Sequence, residues 1–458
     1  MMRGAVPTIL EAVGNTPLVK LHHVANDVPA DLYVKCEFLN PGGSTKDRMT
    51  RHLVDAAEKR GELKPGGTIV EATSGNTGAG LAMIAAVRGY KCIFVMPDKM
   101  SSEKIASLRA FGAKVVVCPT AVDPDDPRSY LEVAKRIASE TPNAFYANQA
   151  HNPDNPGGHY ASTGPELWEQ TGGELDVLVA GLGTGGTMSG TGKYLREKKP
   201  SVQLVGVDPI GSLTYDFVKS GRVTKPFTYK VEGIGQDFFP STMDTKLLDD
   251  VIRVDDKDCF LMARDLVRLE GLCVGGSSGA AVAGALKYAR QTQKKENIVV
   301  LLADGASHYL SKIFNDDWMR ENGFLAEHPG LGVVADVLRG KTSEVIFARS
   351  IDRVRDVIGR MKAHGISQLP VLDGDKLLGA VAEVDMLRYL VSGEHSLDSP
   401  VGVLAESDYA TVTANTKIEQ VQSLLGDARM AIVLGDDGRI SGVITKIDLI
   451  DYLAKRAV

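Results

Sequence analysis

From about residue 66 to 305, short apolar runs alternate with segments whose apolar residues recur at the helical period, and glycines punctuate the joins. That alternation predicts an α/β fold with a largely parallel sheet. Residues 68–72 read as a strand, 77–88 as a helix, 91–96 as a strand, 101–111 as a helix and 114–118 as a strand. Later units repeat the pattern, with strands over 175–180 and 203–208, a helix over 259–270 and a buried apolar strand over 297–303. The stretch Leu325-Ala-Glu-His-Pro-Gly-Leu-Gly332 breaks it with loop residues and predicts a domain boundary. The expected division is one domain over 1–325, a linker over 326–332 and the remainder over 333–458.

That remainder is internally repeated. Gly379-Ala-Val-Ala-Glu-Val-Asp385-Met-Leu-Arg-Tyr389-Leu390 recurs 63 residues later as Gly442-Val-Ile-Thr-Lys-Ile-Asp448-Leu-Ile-Asp-Tyr452-Leu453. Each copy has a helix-period stretch (354–362, 418–425), a short apolar strand (369–372, 431–434), then a strand and a final helix. Units this short rarely stand alone, so two α+β repeats, 333–395 and 396–458, are expected to pack together.

The 458 residues suit two or three domains, and 43% hydrophobic with 24% charged residues is an ordinary globular balance. A net charge of -6 leaves no basic footprint, so nucleic acid is not an expected partner. Cys36, Cys92, Cys118, Cys259 and Cys273 are widely spaced with no C-x-x-C pair; they read as reduced and mostly buried, and no metal site is expected. No signal core, Arg-rich transit pattern or membrane-length apolar stretch is visible, which gives the expectation of a cytoplasmic protein without a membrane partner.

Four glycine-rich loops can carry chemistry. Pro41-Gly42-Gly43-Ser44-Thr45-Lys46 places one lysine in a tight turn at a helix start. An amine so placed can attack a carbonyl, of which pyridoxal phosphate (PLP) is the commonest, or it is only a solvated surface lysine. Gly181-Leu-Gly183-Thr-Gly185-Gly186-Thr187 follows a strand and precedes a helix, where free N–H groups and the dipole suit a phosphate. It also fits the dinucleotide fingerprint, with Asp208 as the ribose acid, so a nicotinamide dehydrogenase competes. Thr73-Ser74-Gly75-Asn76-Thr77-Gly78 offers hydroxyls, an amide and a helix start to a carboxylate, a role compatible with helix capping. Gly275-Gly276-Ser277-Ser278-Gly279 matches a nucleophile elbow followed by Asp304 and His308, a serine-hydrolase reading. The two partners lie four residues apart and no oxyanion loop precedes the serine, so Ser277 reads equally as a hydrogen-bond partner, to a cofactor ring nitrogen for instance.

In this order, and with Asn15-Thr16-Pro17-Leu18 ahead of them, the loops resemble the β-family (fold type II) PLP enzymes over residues 7 to 325. The resemblance implies two open, largely parallel α/β subdomains around a PLP held by Lys46 as a Schiff base. It implies that Gly183, Thr184, Gly185, Gly186 and Thr187 hold the cofactor phosphate, that Asn76 contacts the 3-hydroxyl and that Ser277 faces the pyridine nitrogen. Thr73, Ser74, Asn76 and Thr77, with Gln149 beside them, would grip the substrate carboxylate, and Gly233-Ile234-Gly235 resembles the mobile loop near the second substrate. The stretch from His308 to Met319 resembles the cystathionine β-synthase family, in which Tyr309 and Lys312 would act on the serine hydroxyl and the incoming homocysteine. A cysteine synthase using O-acetylserine or O-phosphoserine and sulfide is the alternative, and release of hydrogen sulfide from cysteine is a further activity such enzymes imply.

Two positions depart from that family. Ala150 and Gln236 stand where animal members carry tyrosines, and the chain starts without the extension that carries haem in animal enzymes, so no haem is expected. The repeats resemble paired cystathionine β-synthase (CBS) domains, a Bateman module that often binds S-adenosylmethionine or AMP. Gly442, Thr445 and Asp448 fit the ribose-binding pattern, whereas Ala382 replaces the hydroxyl ahead of Asp385. Fold type II enzymes are usually dimeric, so a homodimer or higher homo-oligomer is expected.

Overall fold

The computed structural model describes residues 2, 4–73, 75–98, 100, 102–119, 122, 126–326, 330–341, 345–392, 396–435 and 437–456. The chain divides into two compact units, Met1–Leu325 and Ala326–Val458. No helix among the described residues is long and apolar enough to cross a membrane.

The first unit holds two sheets. Four parallel strands lie in the order Lys114–Cys118, Lys91–Pro97, Thr68–Ala72, Ala144–Tyr146. The strand Thr68–Ala72 is buried at every position, as a central strand covered on both faces must be. The helix Lys46–Arg60 turns Met49, Leu53, Val54 and Ala57 inward against one face, where they meet Ile69, Leu81 and Phe94. The spacing of those four is the apolar stripe of a helix packed on a sheet.

The second sheet has six strands in the order Leu18–Lys20, Asp31–Cys36, Asn297–Leu302, Val177–Gly181, Gln203–Pro209, Asp250–Val254. Only the first pair is antiparallel, and Val34, Val300, Val179 and Val205 lie side by side across the middle. The alternation rule did not reach Asp31–Cys36, because Lys35 interrupts its apolar run. That lysine is nevertheless buried, with its ammonium bonded to the Thr16 carbonyl (2.5 Å), Gln170 Oε1 (2.8 Å) and Glu166.

In both sheets the candidate loops leave the carboxyl ends of parallel strands, where open α/β sheets bind ligands. The Thr73–Gly78 loop follows Thr68–Ala72, the glycine loop follows Val177–Gly181, and Asp304 follows Asn297–Leu302. Side-chain caps fix helix starts elsewhere, as where Ser129 accepts from the Glu132 amide (3.2 Å) and Asp255 from the Asp258 amide (2.9 Å).

The second unit contains two three-stranded sheets, Ala348–Arg349 with Gln368–Asp373 and Lys376–Ala382, and Tyr409–Thr413 with Met430–Leu434 and Ile440–Thr445. In each, one pairing is parallel and the other antiparallel. The 63-residue repeat divides the chain but not the cores. The helix Val334–Arg339 packs its Val334 and Val337 with Val421, Val433 and Ile444 of the second repeat. In exchange, Val401 joins Val357, Leu369 and Val381 of the first. Each repeat thus buries its apolar face with help from the segment that leads into the other.

Candidate active site

Gly43 has φ +83°, a left-handed turn that a side chain would strain, and it delivers Lys46 to the first position of its helix. The turn is pinned to the end of the six-stranded sheet: the Thr45 amide donates to the Ala303 carbonyl (2.8 Å), and Ser44 bridges to Asp304. Burial pulls the Lys46 amine below the ordinary lysine range, with the Asp304 charge acting against it. Burial thus biases the amine toward its neutral form, the one that attacks a carbonyl.

Asp304 is fully buried and gathers three of the sequence-predicted residues. Its Oδ2 accepts from Asn76 Nδ2 (2.8 Å) and from the Tyr309 hydroxyl (2.7 Å), and its Oδ1 accepts from Ser277 Oγ at 3.4 Å. Burial and the Asp304 charge together push the Tyr309 phenol well above its usual pKa, so it holds its proton. The direct Ser277–Asp304 contact also disposes of the hydrolase reading, since no bond joins Ser277 to His308 among the described residues.

The glycine loop turns at Gly185, φ +78°, and opens the helix Gly186–Lys198. Among the described residues no amide from Gly183 to Thr187 donates to a protein acceptor. The approach is close, because a Cβ on Gly186 would lie 2.0 Å from Asn155 Oδ1 and one on Gly183 would lie 2.8 Å from the Gly233 carbonyl. Asn155 is buried and its Oδ1 is unpartnered, while its Nδ2 donates to Thr184 Oγ1 (3.0 Å) and the Gln149 carbonyl (2.8 Å). Thr187 Oγ1 pairs with His159 Nε2 at 3.2 Å, and burial, then the charges of Lys46, Arg48 and His52, keep that imidazole neutral. The dehydrogenase reading fails at Asp208, which is buried and bonded to the Tyr215 amide (2.9 Å) within the fold.

In the asparagine loop, Thr73 Oγ1 accepts from the Gly75 (3.1 Å) and Gly78 (3.2 Å) amides, and Thr77 donates to Gln149 Oε1 (2.6 Å). The expected residue Ser74 lies outside the described residues. Beneath the loop is Glu71, buried in the central strand and accepting from the Gln149 amide at 3.4 Å. Burial raises its pKa to about 8. The unfolded carboxyl therefore releases its proton near pH 4.5 and the folded one near 8, so the folded state binds more protons in between and stability falls as pH rises. Glu71→Gln should flatten that slope by up to about 1.4 kcal/mol per pH unit. Urea midpoints at pH 6 and pH 8 check this, and an unchanged slope would contradict it.

Gly233 lies against Ser277, a Cβ there falling 3.7 Å from its Oγ, and Gly235 packs on Tyr229 and Pro209. Lys312 reaches Glu232 Oε1 at 2.7 Å. In the second unit both expected carboxylates are ion-paired internally. Asp385 Oδ2 meets Arg429 at 2.5 Å, and Asp448 Oδ2 accepts from Thr445 Oγ1 and from Lys341 Nζ, each at 2.7 Å.

Sequence reasoning passed over Asp304 as a cofactor-site residue, and it missed Glu71, Asn155 and His159. The last two flank Pro156-Gly157-Gly158, a turn-like run that the structure holds within the helix Asp154–Ala161. His159 had one visible signal, a histidine on a helix four residues before a threonine, the Thr163 to which it pairs at 2.9 Å.

Residues 9–304 match the family model for a pyridoxal-phosphate dependent enzyme, and residues 334–392 and 401–455 each match a CBS domain. The cystathionine beta-synthase of Dictyostelium discoideum is 39% identical over 98% of this chain and 92% of its own length. Two solved structures, each 37% identical with TM-score 0.62, match about two thirds of the chain: a hydrogen sulfide-producing enzyme from Fusobacterium nucleatum (67% of this chain, 100% of that one) and an O-acetylserine dependent cystathionine beta-synthase from Helicobacter pylori (68% and 99%). Because the likeness to the Dictyostelium protein runs through the lysine turn, the glycine loop and both repeats alike, the chain belongs to the cystathionine beta-synthase family of pyridoxal-phosphate dependent enzymes.

Proposed function

We propose that the first unit condenses L-serine with L-homocysteine to L-cystathionine by β-replacement, with pyridoxal phosphate attached at Lys46. The observation that carries this reading is the convergence of Asn76, Ser277 and Tyr309 on Asp304, beside a lysine whose amine is desolvated. The donor set fits the cofactor: among the described residues the amides from Gly183 to Thr187 have no protein acceptor, and Asn155 packs where any side chain on Gly186 would stand. Gly183, Thr184, Gly185, Gly186 and Thr187 would hold the phosphate, with Asn76 and Ser277 at the ring. When bound, the cofactor supplies the electron sink that stabilises charge at the substrate Cα.

The remaining work belongs to the chain. The lowered pKa of Lys46 leaves its amine able to take the α-proton of serine and to return it later. Thr73, Ser74, Asn76, Thr77 and Gln149 would orient the serine carboxylate through hydroxyls and backbone amides at the helix start. Tyr309 keeps its proton at neutral pH and can donate to the departing serine oxygen, a poor leaving group that needs such help. Lys312 and the Gly233–Gly235 segment would meet the thiol.

The test is a paired assay of purified protein, serine with homocysteine against O-acetylserine with sulfide. Cystathionine from the first pair at the higher kcat/KM is expected; negligible serine turnover would sink the reading. The Helicobacter protein's dependence on O-acetylserine favours that ester as the alternative first substrate, and the Fusobacterium neighbour supports hydrogen sulfide release from cysteine as a side activity. A homodimer or higher homo-oligomer in the cytoplasm is part of the same reading. For the second unit, an adenosyl ligand such as S-adenosylmethionine or AMP would hold its ribose at Thr445 and Asp448 by displacing Lys341, with Asp385 the weaker site. Saturating ligand should raise the melting temperature, and no shift with either compound would leave the module a structural role.

A further inference from the structure

One short helix, Asp154–Ala161, lies against both the helix that starts at Lys46 and the helix that the glycine loop opens. A Cβ on its Gly158 would fall 3.2 Å from Met49 Cα, and one on Gly190 of the glycine-loop helix would fall 2.1 Å from the Pro156 carbonyl oxygen. Only glycine allows backbones this close, and it wedges the short helix between the two. From there Asn155 and His159, one turn apart and both buried, each reach a threonine of the glycine loop. Asn155 Nδ2 meets Thr184 Oγ1 at 3.0 Å, and His159 Nε2 meets Thr187 Oγ1 at 3.2 Å.

Which side donates decides what the threonines can do. Asn155 Nδ2 also meets the Gln149 carbonyl at 2.8 Å; a carbonyl only accepts, so this atom is the amide nitrogen and donates to Thr184 as well. The Thr184 proton is thereby left for another acceptor. His159 is neutral, so one ring nitrogen donates and the other accepts. Its Nδ1 lies 2.9 Å from the hydroxyl of buried Thr163. With the ring proton on Nδ1, Nε2 would take the Thr187 proton and leave only lone pairs facing the cradle. With it on Nε2, Thr163 donates to Nδ1, His159 donates to Thr187, and the Thr187 proton is left for the cradle too. Among the described residues neither glycine-loop hydroxyl has another protein partner, so a phosphate there receives both protons in the second arrangement only.

We propose that His159 stands as the Nε2–H tautomer and that Asn155 and His159 are positioning residues, turning both threonines of the glycine loop into donors to the cofactor phosphate. The proposal rests on the reading that this loop holds the phosphate, and adds the side chains that set the direction of its hydrogen bonds.

The experiment is equilibrium dialysis of the full-length protein against graded pyridoxal phosphate, the bound fraction being read from visible absorbance. Thr187→Val should raise the cofactor Kd about tenfold, and His159→Leu about fivefold, as loss of one hydrogen bond does. His159→Gln places an amide nitrogen as many bonds from Cα as Nε2, and it should return Kd to within about twofold of wild type. In a Thr187→Val background, His159→Leu should add nothing further, because its hydroxyl partner is already gone. The tautomer is read directly, without any variant having to fold, from ¹⁵N spectra of histidine-labelled wild-type holoprotein: a protonated Nε2 and a bare Nδ1 are expected for the buried imidazole. A bare Nε2 would overturn the proposal, as would an unchanged Kd in folded His159→Leu, the same penalty with and without the Thr187 hydroxyl, or a glutamine variant no better than the leucine one. The underlying reading fails differently: Thr187→Val would then bind the cofactor as wild type does, and the proposal would fall with it.

Discussion

Replacing Lys46 with alanine should leave a folded, colourless protein whose turnover falls on the order of 10⁴-fold, the upper range for loss of one general acid–base group. Two losses combine. The amine that attaches the cofactor is gone, and so is the group that moves the α-proton. The fold should survive, because Lys46 sits at the first position of its helix, and alanine is the best helix former. The packing stripe of Met49, Leu53, Val54 and Ala57 is untouched. Absorbance of the purified variant near the visible cofactor band, far-ultraviolet circular dichroism and the serine–homocysteine assay check the three parts separately. A variant that turned over at the wild-type rate would defeat the assignment.

Arg48→Met should destabilise the first unit by about 3–5 kcal/mol, the cost of stripping one partner from a buried ion network. Arg48 is buried between Glu37 and Glu166. Its Nε and Nη2 donate to Glu37 (2.7 and 2.8 Å), while Nη1 and Nη2 donate to Glu166 (2.7 and 2.8 Å). Glu166 also accepts from Lys35 and the Asn15 and Thr16 amides, and Glu37 from the Thr16 hydroxyl, which explains why the Asn15-Thr16-Pro17-Leu18 motif accompanies the lysine turn. Methionine fills the space but leaves buried Glu37 and partly buried Glu166 facing one another. Burial opposes the charge on Glu166, yet Arg48 and Lys35 bring its pKa down to about 2. The stabilisation from that pairing is therefore complete above the unfolded value of 4.5 and is lost as pH falls towards 2. Urea unfolding should show the full penalty at pH 7 and a smaller one near pH 3. The double variant Arg48→Met with Glu37→Gln should cost less than the two single changes summed, because neither change then leaves its partner stranded.

The same network shows where a sequence can be read and where it cannot. The four loops were legible because their chemistry is local: glycines, hydroxyls and one lysine or asparagine adjoin the start of a helix, and the spacing alone implies a backbone cradle. Strands such as Lys91–Pro97 and Lys114–Cys118 were legible for a similar reason, each carrying an unbroken apolar run between turns. Asp31–Cys36 was not, because Lys35 reads as a surface residue until its partner Glu166 is found 131 positions away. Asp304 was visible only as a hydrolase acid; its bond to Asn76 spans 228 positions, a distance no local pattern carries. The bond between Lys104 and Glu232 was hidden in the same way. The repeat in the second unit was plain from its 63-residue period, but periodicity says nothing about which copy receives the helix Val334–Arg339, and the apolar face of the second copy decided it.

All the loops of the first unit are read as serving one cofactor on one amine, and that is the claim to test first. Borohydride reduction of the purified wild-type protein, followed by proteolysis and peptide mass spectrometry, locates the attachment directly. The account predicts a single pyridoxyl phosphate adduct on the peptide containing Lys46. An adduct on another lysine, Lys104 or Lys312 for instance, or a protein that takes up no adduct after incubation with pyridoxal phosphate, would contradict it.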